Sequence, residues 1–219
     1  MKKEFKQLKR EEYLKFFKSL FEAKILNKRG CFVDLYEEHE YIEQKNFLLD
    51  DGVAGYSIRN GDLVGVHKNP KLAKEKGYGK ISGMLLLSAL KNGANTVDCY
   101  GDYLVNMYME YGFIPVGKMK FDKSYNDTWD DEKFGLPDVV AMCRAVTSEE
   151  EIEELKKSSQ MLNYEQVKNR IPIFDDYNAM LRDRNDVFYQ ISINNLSYKD
   201  STNWLYGDEE IDIYEYEHE

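Results

Sequence analysis

Two kinds of hydrophobic spacing alternate along the first two thirds of the chain. Apolar residues recur every three or four positions in residues 11–24 and 79–92, which predicts amphipathic helices, and a shorter helix is predicted over 103–111. Short apolar runs bounded by turn residues predict strands. These runs are 31–36, 47–49, 54–59, 63–67, 96–100, 113–121 and 139–143.

The strongest turn signal lies between residues 54–59 and 63–67. Asn60-Gly61 favours a type I′ turn, whose backbone twist matches that of the strands it joins. We therefore predict a β-hairpin, followed by a loop over residues 68–78 that carries several lysines and glycines. The order of elements predicts an α/β domain whose early strands are antiparallel.

The pattern changes after Arg144. Ser148 and Glu151 form a capping-box signal for a helix from Glu149 to Gln160, and residues 164–170 and 175–189 are further helix candidates.

Residues 147–219 hold 18 acidic and 7 basic residues, a charge of −11, whereas the rest of the chain carries +1. We predict a domain over 1–146 and an acidic, mostly helical extension over 147–219. Its last residues, 207–219, hold seven acids and no Lys or Arg, and we expect them to be mobile.

Composition narrows the class of protein. The cysteines, Cys31, Cys99 and Cys143, are far apart and form no metal-ligand spacing, so we expect a reduced, cytoplasmic protein without a bound metal. The longest apolar run, 84–87, is far shorter than the ~20 residues of a membrane span, and no signal-peptide pattern is present. No basic stripe is present, so we do not expect direct nucleic-acid binding.

Candidate chemistry is concentrated in residues 74–81, Lys-Glu-Lys-Gly-Tyr-Gly-Lys-Ile, between a predicted strand and a predicted helix. Gly77 and Gly79 allow a ligand to approach the backbone closely. The N–H groups and positive dipole end of a helix start suit a pyrophosphate. The segment therefore predicts a phosphate-binding loop.

Two other phosphate motifs do not fit this segment. A P-loop requires glycine where Lys74 stands and Ser or Thr where Ile81 stands. A dinucleotide fingerprint requires glycine where Ser82 stands, and its glycines should follow their strand directly.

Two segments resemble the GNAT superfamily of N-acetyltransferases. Lys74-Glu75-Lys76-Gly77-Tyr78-Gly79 is similar to the family signature Arg/Gln-x-x-Gly-x-Gly/Ala, with Lys74 in place of Arg or Gln. Tyr108-Met109-Glu110-Tyr111-Gly112-Phe113 is similar to the family's Tyr-x-x-x-Gly-Phe. The resemblance covers about residues 45–145. The loop around Trp129 and the segment 135–140 also resemble a phage-associated subgroup.

The resemblance implies a GNAT-like fold, a mixed and mainly antiparallel central sheet flanked by helices. It also implies acetyl-CoA as the cosubstrate. The pantetheine arm would pair with strand 63–67 through Val64 and Val66, and an N–H near Val66 would polarise the thioester carbonyl. Main-chain amides would hold the pyrophosphate, and the residues concerned are Lys76, Gly77, Tyr78, Gly79, Lys80 and Ile81.

The resemblance also supplies a candidate for proton transfer. Tyr108 is the implied general acid, because a phenol with a pKa of about 10 can protonate a departing thiolate whose thiol has a pKa of about 8.5. The general base is not part of the resemblance: His67 is a candidate because it ends strand 63–67 near the expected thioester and its pKa suits accepting a proton near pH 7. Asp62, Asp98, Asp102 and a water relay are alternatives that the sequence leaves open.

Two functions follow from this interpretation. The first is transfer of an acetyl group from acetyl-CoA to an amine acceptor, a small molecule or a protein, that the sequence does not identify. The second is a catalytically silent GNAT-like domain that acts as an interaction or inhibitor module through its acidic extension. In that case the partner would be another protein or a second copy of the chain.

Overall fold

The structure, a computed structural model, describes residues 4–126 and 128–207. Within them the chain is a mixed α/β protein with mostly antiparallel strands, flanking helices and a helical C-terminal part, which confirms the predicted fold class. The strands are β1 Phe5–Gln7, β2 Lys45–Leu49, β3 Ala54–Arg59, β4 Asp62–Lys68, β5 Thr96–Tyr100, β6 Phe113–Lys120 and β7 Asp138–Arg144. The helices are α1 Tyr13–Leu26, α2 Pro70–Glu75, α3 Ser82–Lys91, α4 Gly101–Met109, α5 Asp131–Phe134, α6 Glu149–Ser158, α7 Tyr164–Val167, α8 Tyr177–Ile193 and α9 Tyr198–Tyr206.

The chain divides into two compact units. The first comprises Met1–Asn95 and Asp122–Gly135, and the second comprises Thr96–Phe121 and Leu136–Glu219. The residues that we expected to be mobile, 207–219, lie outside the described part of the chain apart from Gly207.

The first unit is built on the antiparallel strand order β1-β2-β3-β4. The hairpin between β3 and β4 is confirmed. Asn60 and Gly61 have φ angles of 52° and 86°, and a type I′ turn requires a positive φ at both positions.

Helices cover both faces of this sheet. Adjacent residues of a strand point to opposite faces, so Phe47 and Leu48 show what lies on each side. Leu48 packs in one cluster with Phe16 of α1. The Phe47 ring stacks on Tyr56 at 4.7 Å, and the Tyr56 hydroxyl lies 2.8 Å from Ser88 Oγ of α3. Hence α1 and α3 lie on opposite faces.

The strand predicted over residues 31–36 is wrong. Gly30–Phe32 forms a 3₁₀ turn, and the chain after it joins no strand. The Lys24 ammonium donates hydrogen bonds to the main-chain oxygens of Gly30 and Val33. Main-chain carbonyls of this segment therefore bind a side chain from α1 rather than a neighbouring strand.

The second unit contains the antiparallel strand order β5-β7-β6. The turn from α4 into β6 requires glycine at position 112, where φ is +81°. A Cβ at this position would lie 2.4 Å from Val146 Cγ1, and Gly112 O accepts a hydrogen bond of 2.9 Å from Ala145 N–H. Close packing against β7 and the residues after it thus explains the glycine of the Tyr-x-x-x-Gly-Phe segment.

Capping signals place the C-terminal helices. α6 begins at Glu149 with Ser148 as its N-cap, as predicted, although the Glu151 carboxylate accepts from Thr147 N–H. α8 extends to Ile193, beyond its predicted end. α9 was missed, although Ser197 and Asp200 form a complete capping box before it.

The C-terminal segment packs on β6 within the second unit. Lys118 N–H donates to Pro172 O at 2.9 Å, and Phe174 N–H donates to Lys118 O at 2.8 Å. The Tyr206 hydroxyl donates to Pro115 O. The predicted boundary between residues 146 and 147 stays a prediction, because packing in the whole chain does not measure the folding of a fragment.

The packing on β6 leads us to expect that a chain ending at Val146 loses cooperative thermal unfolding. Such a chain exposes β6 and β7 and lacks buried side chains that complete the core. The apolar side chains of the extension with at most 2% exposure are Ile152, Tyr164, Val167, Met180 and Tyr198. A chain ending at Gly207 keeps all of these contacts and is the matched control. A cooperative melt of the 1–146 chain at the temperature of the control would instead support the sequence-based boundary.

Candidate functional site

The predicted loop between β4 and α3 contains a short helix, α2. The Asn69 side chain accepts hydrogen bonds of 3.1 Å from the N–H groups of Lys71 and Leu72, and Pro70 occupies the first helical position. Asn before Pro is a helix-start signal that the hydrophobic pattern alone did not show. Most of the loop predicted over residues 68–78 is therefore helical, and the part without regular structure is shorter than expected.

Gly77 ends α2, and several main-chain N–H groups that were predicted to bind phosphate already donate hydrogen bonds there. Its φ is +66°, Tyr78 N–H donates to Ala73 O at 2.8 Å, and Gly77 N–H donates to Lys74 O at 3.3 Å. This pair of bonds is a Schellman motif. The N–H of Lys76 also donates within α2. The amides of Lys76, Gly77 and Tyr78 thus already have partners, which narrows the predicted set of donors to residues after Tyr78.

The N-terminus of α3 lacks a capping side chain. α3 begins at Ser82 rather than at Gly79, and its N-cap is Ile81, which has no side-chain acceptor. The bond from Leu85 N–H to Ile81 O closes the first turn of α3. The main-chain N–H groups of the residues before Leu85 in that turn have no acceptor within the helix. The adjacent α2, in contrast, is capped by Asn69.

The surroundings of this helix start fit a phosphate group. Ser82 Oγ is buried and has no hydrogen-bond partner among the described residues. A Cβ built at Gly79 would meet nothing within 4 Å, so the backbone there is open to close approach. The exposed lysines at 74 and 80 add positive charge. Residues 79–83 can therefore hold a pyrophosphate through main-chain N–H groups and one hydroxyl.

Asp51, in the turn before β3, contacts this loop. Its Oδ2 accepts a hydrogen bond of 2.8 Å from the Tyr78 hydroxyl, and Lys76 Nζ lies 3.8 Å from the same oxygen. Removal from water and the contact with Asp51 raise the pKa of Tyr78 to about 12. Burial favours a higher pKa for Asp51, but the bonds from Tyr78 and Val53 and the Lys76 charge outweigh it and lower that pKa. The carboxylate is thus ionised at neutral pH.

β4 carries a bulge where the resemblance places the thioester. Gly55 pairs with His67 and Ser57 pairs with Val64, so β4 has one residue more than β3 between these pairs. Gly65, in the bulge, has a φ of +59°. Val64 is buried, and Val66 lies in the bulge and is half-buried. A glycine inside a strand pattern signals a bulge, and the prediction of a regular strand overlooked it.

His67 lies inside the first unit. Its Nδ1 is 2.8 Å from Gly65 O and must carry the proton, and its Nε2 is 2.9 Å from Ser19 Oγ of α1. The Phe16 ring packs edge-on at 5.3 Å. Burial lowers the pKa of His67 to about 4. Since the basic nitrogen is enclosed by α1 and bonded to a hydroxyl, this environment does not support the expectation that His67 accepts a proton from an amine.

The remaining proton-transfer candidates differ in their surroundings. Asp98 of β5 accepts a hydrogen bond of 3.1 Å from the Tyr177 hydroxyl and lies 3.8 Å from Arg184 Nη1. Its contacts tie α8 to the sheet of the second unit. Asp102 is exposed in the first turn of α4, and Asp62 is the first residue of β4.

Tyr108 lies on α4 in the second unit. Its side chain is 5% exposed, and its ring meets Phe113 edge-on at 5.8 Å. The motif Tyr-x-x-x-Gly-Phe thus joins the end of α4 to the start of β6 by ring packing as well as by the Gly112 turn.

Two general properties of the described residues bear on the class of protein. Within 4–126 and 128–207, no group of three or more His, Cys, Asp and Glu side chains could hold a metal ion. In the same part of the chain, no helix has both the length and the apolar character needed to cross a bilayer.

Comparisons with known proteins give only a weak structural similarity. No family model and no curated protein matches the chain. The solution structure of apo-form YjaB from Escherichia coli superposes with a TM-score of 0.35 and 13% sequence identity, over 65% of this chain and 97% of that chain. A similarity at this level carries no argument about fold or function.

We expect His67 to make the protein acid-labile. The folded pKa of about 4 lies below the ordinary value of 6.5, so between these pH values the unfolded chain binds a proton that the folded chain does not. The free energy of unfolding should therefore fall as pH drops from about 6.5 to about 4, by up to about 3 kcal/mol. Urea titrations across this range measure the slope, and His67→Gln, which cannot titrate, should flatten it. Equal slopes in both proteins would contradict the buried, neutral His67.

Proposed function

We propose that the chain is an N-acetyltransferase of the GNAT type that transfers an acetyl group from acetyl-CoA to an amine. The observation that carries the proposal is the uncapped start of α3 after the open backbone at Gly79, with Ser82 Oγ lacking a partner among the described residues. These groups suit the pyrophosphate of a CoA thioester. The resemblance of residues 74–79 and 108–113 to the family's two motifs adds to it.

The proposal assigns roles to the chain's own groups. The main-chain amides of residues 79–81 and the first turn of α3 would hold the pyrophosphate, and the bulge at Gly65 and Val66 would supply a main-chain donor for a carbonyl oxygen. Tyr108 would donate a proton to the leaving sulfur. Because His67 is enclosed, we propose that water relays the proton from the amine. Acetyl-CoA, when bound, supplies the activated thioester.

A second candidate function rests on charge. Residues 147–219 carry −11, which suits a module that contacts a basic partner surface. The described part of this extension is helical and packs on its own unit. An assay of acetyl-CoA with a panel of amines and thiol detection separates the candidates. If the protein binds acetyl-CoA saturably but releases no thiol with any of the amines, the result favours the silent module. Thiol release that depends on an amine favours the enzyme.

Substitution at Gly79 tests the proposed phosphate contact. Gly79 lacks a positive φ and has open space around it, so Gly79→Ala should leave the melting temperature unchanged. A methyl group in the path of the ligand should nevertheless weaken acetyl-CoA binding by more than tenfold, about 1.4 kcal/mol. Isothermal titration calorimetry measures the change in Kd.

Gly77→Ala is the comparison variant for this experiment. Its backbone is held at φ +66° by the end of α2, so alanine there should lower the melting temperature whatever the ligand does. Wild-type affinity in a folded Gly79→Ala protein would show that the pyrophosphate does not bind this loop.

Tyr108→Phe tests the proposed general acid. The change removes one hydroxyl and keeps the ring that packs on Phe113. We expect acetyl-CoA affinity to change little and kcat to fall by roughly 10²–10⁴-fold, with an equal fall in kcat/KM. Tyr103→Phe, on the same helix and 61% exposed, is the matched control. Wild-type kcat with a lower melting temperature would instead assign Tyr108 to packing.

A further inference from the structure

The segment between α2 and α3, residues 76–81, ends in the proposed pyrophosphate contacts and has little regular structure of its own. Gly77 and Gly79 have no side chains, and both are exposed. Side-chain hydrogen bonds join this segment to the elements around it. Lys68 Nζ donates to Gly79 O at 2.7 Å, and the Tyr78 hydroxyl donates to Asp51 Oδ2 at 2.8 Å. The loop is therefore fixed to β4 on one side and to the turn between β2 and β3 on the other.

Asp51 makes two contacts with the loop. Its carboxylate binds Tyr78, and its main-chain oxygen accepts a hydrogen bond of 3.0 Å from Lys76 Nζ. Tyr78 and Lys76 flank Gly77, the residue that ends α2. Their side chains converge on one residue that is 25 to 27 positions earlier in the chain. This arrangement restricts the backbone on both sides of the glycine.

We propose that Asp51 is a positioning residue that, through Tyr78 and Lys76, holds the backbone that follows them, residues 79–81, in the conformation that binds the pyrophosphate. The inference rests on the proposed function. Ordering a loop of several residues on binding costs conformational entropy, and a loop that is ordered beforehand avoids most of that cost. Asp51 itself need not touch the ligand.

Positioning by Asp51 would strengthen acetyl-CoA binding, whereas its negative charge would weaken it. The direction in which the affinity changes when Asp51 is removed therefore tests the proposal. A carboxylate near a phosphate site repels the ligand and draws Lys76 away from it. If this repulsion dominated, removal of the carboxylate would tighten binding. If positioning dominates, removal weakens binding. The ionised Asp51 faces the Lys76 ammonium at 3.8 Å, which offsets its charge.

The experiment compares Asp51→Ala, Tyr78→Phe and the double variant. Each single change should weaken acetyl-CoA binding about fivefold or more, the scale of one partly exposed hydrogen bond. The double variant should be no weaker than the weaker single one, because both changes remove the same bond. Asp51→Asn keeps an oxygen acceptor for Tyr78 and should recover part of the affinity.

Amide hydrogen exchange in the ligand-free protein gives a readout that a general loss of stability would not produce. Exchange at Gly77 and Tyr78 should be faster in Asp51→Ala, whereas exchange in the strands stays the same. Asp50→Ala is the matched control. Asp50 lies in the same turn and pairs with Lys6 at 2.9 Å, so its removal changes the net charge equally and leaves the Tyr78 bond intact.

Several outcomes would overturn the proposal. Unchanged or tighter binding in Asp51→Ala would do so, as would additive losses in the double variant or equal losses in Asp50→Ala. Tyr78→Phe keeps its ring and decides the question should Asp51→Ala fail to fold. A wild-type protein that does not bind acetyl-CoA removes the proposed function and this inference together. If the wild-type protein binds acetyl-CoA and the Tyr78→Phe variant binds it with the same affinity, this inference alone is wrong.

Discussion

The register of the hairpin between β3 and β4 is the constraint on which the first unit depends. The type I′ turn at Asn60-Gly61 fixes which residues of the two strands face each other. With that register, the extra residue in β4 forms a bulge at Gly65, and His67 meets Ser19 of α1. β4 then ends beside Asn69, which caps α2. The bulge and the surroundings of His67 therefore depend on this alignment.

Satisfaction of main-chain hydrogen bonds distinguishes α2 from the start of α3. α2 is capped at its start by Asn69 and at its end by the Schellman turn at Gly77, so its backbone needs no ligand. α3 begins at Ser82 without a capping side chain. These two helices, adjacent in sequence, thus differ in whether a side chain caps their first main-chain N–H groups. Hydrogen bonds from Tyr78 to Asp51 and from Lys68 to Gly79 O fix the segment that joins the two helices.

The second unit depends on contacts between distant parts of the chain. β6 binds main-chain groups around residues 172–174, and Gly117 leaves room for the Phe174 ring. The negative charge of the extension suggested a separate region with a separate role. Charge describes the exposed residues of such a segment, however, whereas apolar side chains such as Met180 and Tyr198 are buried in it. A segment can therefore be acidic overall and still complete a core.

The sequence by itself determined the features that depend on a few neighbouring residues. The hairpin turn, the Ser148 cap and the helices α1, α3, α4 and α6 follow from backbone preference, hydrophobic spacing and capping. Only the tertiary structure decided features that join distant residues. Lys24 binds carbonyls where a strand was predicted, Ser19 encloses His67, and Asp51 binds Tyr78. Spacing along the chain does not encode these contacts, because burial and hydrogen-bond partners are set by which elements pack together.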